Sequence, residues 1–431
     1  MRPIRTLIAV AAVSLAVATP AVAAPKATGT ATGNATATAT TATPTVEEQR
    51  LDQAAPQEIL RRSGFDKVAT DFARALAETH SAAEAERLIT REGRALWQRA
   101  VDRVQGRGPA GGDLSRDDDR PLYWARLGMT RALGQWQPGF PLPDARRAAL
   151  LTTLERTSRG QDSLDLPAGK HIKRIVVTGF DPFQLDADVR RSNPSGAAAL
   201  ALDGTTIRTD NGPARVETAV FPVRWADFAD GTVERTLLPA FRSGPRRVDA
   251  YLTVSQGRMG RFDVERTNGA WRGGYPDNAN ISRTETVPIP SGVPTPNPQP
   301  QWTTTTLPHE KIVTANTGPA PVYDHTEVTE IPAGATTPVV RPNGPTPGST
   351  ARAGGGGDYL SNEIAYRATL LRDAVALKAP GGHLHTPVLQ FGPGNTNPTT
   401  GRITDPDFVH NREAITAQVR SILTVVATTT R

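Results

Sequence analysis

At His171 the hydrophobic periodicity of this chain switches from helical to strand-like, and the switch limits what each half can fold into. From Val46 to Gln105, Phe65, Val68, Phe72, Leu76, Leu88, Leu96 and Val101 recur at spacings near three, four and their multiples. Such a stripe belongs to amphipathic helices. A Gly- and Asp-rich break runs from Gly106 to Arg120. The helical pattern resumes from Pro121 to Leu154, with Tyr123, Trp124, Leu127, Trp136 and Leu150. After His171, Ile172 to Thr178 is a β-branched run ending at a glycine, which reads as a buried strand. Val216–Val223 and Val248–Val254 read as further strands, and Val388–Phe391 as a short one. Ala197–Leu202, Leu360–Leu377 and Arg412–Ala427 read as helices. Strands alternating with helices predict an α/β fold, a central and mostly parallel sheet flanked by helices, preceded by an all-helical N-terminal region.

The 431 residues suffice for two or three domains of roughly 150 residues each. Residues 1–24 read as a secretory signal peptide. Arg2 and Arg5 are its charged start, Leu7 to Val17 its apolar run, and Ala21-Val22-Ala23 its small-residue cleavage site. Export follows, and the apolar run is too short for a stable membrane span. Residues 25–45 form an Ala/Thr-rich linker that cannot build a core. Residues 46–165 make the helical region and 166–431 the α/β domain. Within the latter, 284–355 is rich in Pro, Thr and Gly and is expected to lie outside the central sheet as an excursion.

The formal charge of +6 is mild, and basic residues are interleaved with acidic ones. A nucleic-acid partner therefore has no basic stripe to bind. There is no cysteine, so disulfides and thiolate chemistry are both excluded. Nothing in the chain calls for a cofactor. The apolar helical stripe is too large to face water, and it is expected to pack on itself and on the α/β domain or a partner subunit, as in a homo-oligomer.

Several polar residues stand where chemistry can occur. Ser361 follows the glycine run Gly354–Gly357 and opens a helix, as a plain N-cap or as a nucleophile beside free backbone N–H groups. A serine nucleophile needs a base. His385, 24 residues on, is either that base or a hydrogen-bonded histidine in a loop after a strand. His383 and His385 would share one face of an extended segment and begin a metal site, but His309 and His325 fit no metal-ligand spacing. The expected metal set is none. Glu265, beside Arg266, reads by itself as one half of a surface salt bridge. Phe180 and Phe183 flank Asp181-Pro182 just past the first strand, as core residues or as a ligand wall.

Four collinear blocks carry a resemblance. They are Thr178-Gly179-Phe180-Asp181-Pro182-Phe183, Ser192-Asn193-Pro194-Ser195, Gly257 to Glu265 with Asp277-Asn278, and Ser361-Asn362 with Tyr366 and His385. Together, over roughly 172–425 apart from the excursion, they resemble the pyroglutamyl peptidase I (pyrrolidone carboxyl peptidase) family of cysteine peptidases, with serine at the cysteine position. The resemblance implies a nucleophile at Ser361, His385 as general base and then acid, and Glu265 orienting the imidazole. It further implies Phe180 and Phe183 on the faces of a pyrrolidone ring, with Tyr359 in the same pocket and Asn193 fixing the loop beneath. The implied substrate is a peptide with an N-terminal pyroglutamyl residue. A homologue that only binds such N-termini, or a serine hydrolase of altered specificity, remains an alternative.

Overall fold

The computed structural model describes residues 43–169 and 171–430. The signal segment and most of the linker lie outside the described residues. Residues 46–157 are wholly helical between their loops. The long segments are Ala54–Ser63, Val68–Ala77, Ala82–Val104, Arg120–Gln135 and Asp144–Thr157. Local signals start two of the helices: Thr45 and Glu48 form a capping box on the short Val46–Gln49, and Ser81 accepts a hydrogen bond from Glu84 N at the start of Ala82–Val104. Phe65, Phe72, Trp97 and Trp124 are buried in the core of this region, and Trp136 packs at its margin. That core continues into Leu185, Val189, Leu200, Val220 and Ile403, so the helical region packs directly on the α/β part.

The central sheet has seven strands: β1 (Lys173–Phe180), β2 (Thr206–Thr209), β3 (Gly212–Phe221), β4 (Ala250–Gln256), β5 (Phe262–Glu265), β6 (Val322–His325) and β7 (Gly381–Thr386). Their order is β6-β5-β7-β4-β1-β3-β2. β7, β4, β1 and β3 run parallel, β5 and β6 are parallel to each other but oppose β7, and β2 opposes β3. Pro194–Leu202 and Pro406–Thr429 cover one face through Ala198, Leu202, Ile415 and Val419. Leu360–Ala374 and Thr232–Phe241 cover the other through Ile364, Ala368, Val233 and Phe241. The chain leaves β1 for β3 on one side and then crosses to β4 on the other. The carboxyl ends of β1 and β4 therefore flank a topological switch point, where open α/β sheets form crevices.

Three expectations need correction. Val388–Phe391 is irregular, and His385 lies within β7 instead of after it. The segment 284–355 is not confined outside the sheet: Val322–His325 is β6, the edge strand beside β5. The rest forms strands of three or four residues, including the antiparallel set Val328–Ile331, Val339–Arg341 and Thr350–Ala353. Strands so short show no measurable alternation among prolines and glycines. No helix among the described residues is long and apolar enough to cross a membrane.

Candidate functional site

Register assembles one polar face on the sheet. His385 pairs with Ser255 of β4, His383 with Thr253 of β4 and Glu265 of β5, and Glu265 with His325 of β6. Side chains two apart share a face, so Thr253, Ser255, His383, His385, Glu265 and His325 stand together.

Glu265 is fully buried. Its Oε1 accepts from His385 Nδ1 at 2.7 Å and its Oε2 from His325 Nδ1 at 2.6 Å. Burial pushes this carboxyl up, but the hydrogen bonds from His325 and His385 outweigh it and hold the group at about 2. The surface salt bridge open to Glu265 on sequence grounds is thus absent. Arg258 adds a guanidinium 3.8 Å from Oε1 and binds Asp263 at 2.9 Å. Two glycines are required here by close approach. A Cβ on Gly355 would lie 2.1 Å from Glu265 Oε2, and one on Gly257 2.6 Å from His385 Cβ. The glycine run before Ser361 therefore closes over the carboxylate.

Ser361 is the second residue of the helix Leu360–Ala374; Tyr359 holds the N-cap position, so Ser361 is not the cap. Its hydroxyl donates to Gly356 O at 3.0 Å, and no hydrogen bond joins it to His385. Asn362 grips Gly269, accepting from its N–H at 2.9 Å and donating to its carbonyl at 2.8 Å. This fixes the helix start against the chain that follows β5.

Phe180, Phe183, Asn193, Tyr359 and Ser361 line one narrow cleft of about 30 Å³, together with Val223, Ser255, Gln256 and Leu360. It sits at the β1/β4 switch point. Tyr359 meets the Trp225 ring edge-on at 5.2 Å, and its hydroxyl donates to Pro276 O at 3.0 Å. Asn193 Nδ2 donates to Asp181 O and Asn278 Nδ2 to Pro182 O, which pins the loop carrying both phenylalanines.

Several contributors were not read from the sequence. Arg126 and Arg159 of the helical region hold the buried Asp181 carboxylate between Phe180 and Phe183. Asp119 accepts from Asn193 N at 2.9 Å and from the Ser192 hydroxyl. His325, which fits no metal-ligand spacing, joins the site through the alternation in Val322-Tyr323-Asp324-His325. Among the described residues no group of three or more His, Asp or Glu is arranged to hold a metal.

Solved structures similar to this chain include two peptidases. Pyrrolidone carboxyl peptidase from Pyrococcus furiosus is 21% identical, covering 59% of this chain and 99% of that one, with a TM-score of 0.36. Pyroglutamyl peptidase I from Bacillus amyloliquefaciens is 21% identical, covering 59% and 97%, with a TM-score of 0.35. Two family descriptions match in tandem: the PA0049 N-terminal domain over residues 26–155, and the PA0049 C-terminal domain over 174–297 and 322–390. The Pseudomonas aeruginosa protein PA0049, itself described as uncharacterised, is 36% identical over 88% of this chain and 88% of its own length. On that extent of identity, with both family domains matched in order, the chain belongs to the PA0049 family.

Proposed function

We propose that this protein is an exported pyroglutamyl peptidase-like hydrolase that removes N-terminal pyroglutamyl residues from peptides. The observation that carries the reading is the Glu265–His385 hydrogen bond at 2.7 Å beside a cleft walled by Phe180, Phe183 and Tyr359 with Ser361 at its edge. Export rests on the sequence of residues 1–24.

In this reading the pyrrolidone ring lies between the aromatic walls of Phe180, Phe183 and Tyr359. With His385 Nδ1–H held by Glu265, Nε2 offers its lone pair. The Ser361 hydroxyl leaves Gly356 O and gives its proton to Nε2 as Oγ attacks the acyl carbon. The oxyanion faces free N–H groups at the start of the helix Leu360–Ala374. His385 then protonates the leaving amine. Water, deprotonated by His385, hydrolyses the ester and releases pyroglutamate. Glu265, ionised above about pH 2, supports the imidazolium.

A second reading is favoured by one observation. The Ser361 hydroxyl is engaged by Gly356 O, which suits a protein that binds the cyclised N-terminus without cleaving it. Hydrolysis of a chromogenic pyroglutamyl amide, with Ser361→Ala as control, separates the two. Turnover lost in the variant supports the hydrolase. Binding without turnover in the wild type supports the binding protein.

A further inference from the structure

One hydroxyl lining the cleft, that of Ser255, is paired with an imidazole behind it. Ser255 Oγ lies 2.8 Å from His383 Nε2, and His383 Nδ1 lies 2.8 Å from Thr253 Oγ1. Thr253 Oγ1 in turn donates its one proton to Gly382 O at 3.1 Å. We assign the Thr253 proton to Gly382 O, which can only accept; Thr253 then accepts from His383, and the imidazole carries its proton on Nδ1. Nε2 is then a bare lone pair, and the Ser255 hydroxyl must donate to it. The chain Ser255 → His383 → Thr253 → Gly382 therefore runs in one direction.

Two roles compete for this pair. As a nucleophile, Ser255 would hand its proton to His383 and create an imidazolium. His383 is fully buried, has no carboxylate bonded to it, and its ring lies 4.7 Å from that of His385. Burial and the neighbouring His385 push it well below the usual histidine range, with Glu265 only partly opposing them. Proton abstraction is disfavoured there. The other role needs no proton transfer. A hydroxyl whose hydrogen is permanently engaged shows the cleft only oxygen lone pairs, and it discriminates for donors against acceptors.

We propose that Ser255, locked by His383 and Thr253, is a specificity-determining acceptor that takes the lactam N–H of the pyrrolidone ring. This deepens the pyroglutamyl reading and rests on it. Ser255 lines the cleft with Phe180, Phe183, Tyr359 and Ser361, and it is 4% exposed. Aromatic walls recognise a flat ring of any composition, whereas a fixed acceptor distinguishes a lactam from a lactone, whose ring oxygen would meet it lone pair to lone pair.

The test uses the full chain carrying Ser361→Ala, so that no probe is hydrolysed. Calorimetry compares a pyroglutamyl dipeptide with its lactone counterpart, in which oxygen replaces the ring N–H. The lactam should bind at least about tenfold tighter, the loss expected when a hydrogen bond becomes a repulsive contact. Adding Ser255→Ala should reduce the preference to within about threefold. Adding His383→Phe should do likewise, because the freed Ser255 proton can then serve the lactone oxygen. If the preference survives in the folded form of either added variant, another group reads the N–H and the inference fails while the pyroglutamyl reading stands. If neither ring binds before these changes, that reading and the inference fall together.

Discussion

Arg159, just beyond the last helix of the N-terminal region, holds Asp181 with two donors, Nε at 3.0 Å and Nη2 at 2.8 Å. Arg126 approaches the other carboxylate oxygen at 2.7 Å. Burial pushes Asp181 up, yet the two guanidinium groups hold it below the usual carboxylate range. A buried charge that loses a partner is costly. Arg159→Met should therefore destabilise the protein by about 3 kcal/mol in urea unfolding. Because Asp181 sits between Phe180 and Phe183, the variant should also weaken pyroglutamyl peptide binding. Adding Asp181→Asn should recover part of the stability. An unchanged midpoint for Arg159→Met would show the clamp to be idle.

The proposed nucleophile, Ser361, can be interrogated by replacement. A thiol at a helix N-terminus beside an imidazole ionises readily, whereas a hydroxyl depends wholly on its base. Ser361→Cys should raise pyroglutamyl amide hydrolysis by about tenfold or more. His385→Ala should abolish the activity of both forms. An inert cysteine variant beside an active wild type would mean that the site is rebuilt around serine.

Glu265 serves two imidazoles, and the two should be unequal in catalysis. Glu265→Gln should lower kcat by about 100-fold with KM little changed, in the range of general acid–base contributions. His325→Ala should lower it by only about tenfold, since His385 keeps its own carboxylate oxygen. Equal losses would make His325 a direct participant.

Stability should respond to acid through the same carboxylate. Its value falls from an ordinary 4.5 to about 2 on folding. The folded state thus binds fewer protons at this site than the unfolded chain between those limits. The contribution is complete above about pH 4.5 and is lost as pH falls towards 2. Glu265→Gln should show a shallower decline of unfolding free energy across that window than the wild type. Parallel curves would place the acid sensitivity elsewhere.

Limited proteolysis should begin in the stretch 333–340, which is exposed at every residue. This lies within the excursion but away from its sheet strand. Early cutting inside Val322–His325 would contradict the pairing of β6 with β5.

The fold was legible where runs were long. Ile172–Thr178 announced β1 by β branching alone, and the spacing of Phe65, Val68, Phe72 and Leu76 announced helices. The site was legible only as separate blocks, because β-sheet register joins residues far apart in sequence. Ser255 and His383 are 128 residues apart and meet only across β4 and β7. His383 stood out on spacing, but a spacing does not reveal a partner on another strand. The Asp181 clamp was invisible for the same reason: Arg126 is one of many arginines on helices, and nothing local marks it as buried. The excursion misled because proline-rich composition describes its connections, not the four residues that join the sheet.

Strand β6 leaves a seam in the middle of that excursion. The second block of the family match resumes at Val322, its first residue, after omitting 298–321. The in-register pairing of Val322–His325 with Phe262–Glu265 leaves no room for a change of length within that strand. One residue gained or lost within it would turn the histidine to the opposite face of the sheet and leave Glu265 with a single imidazole.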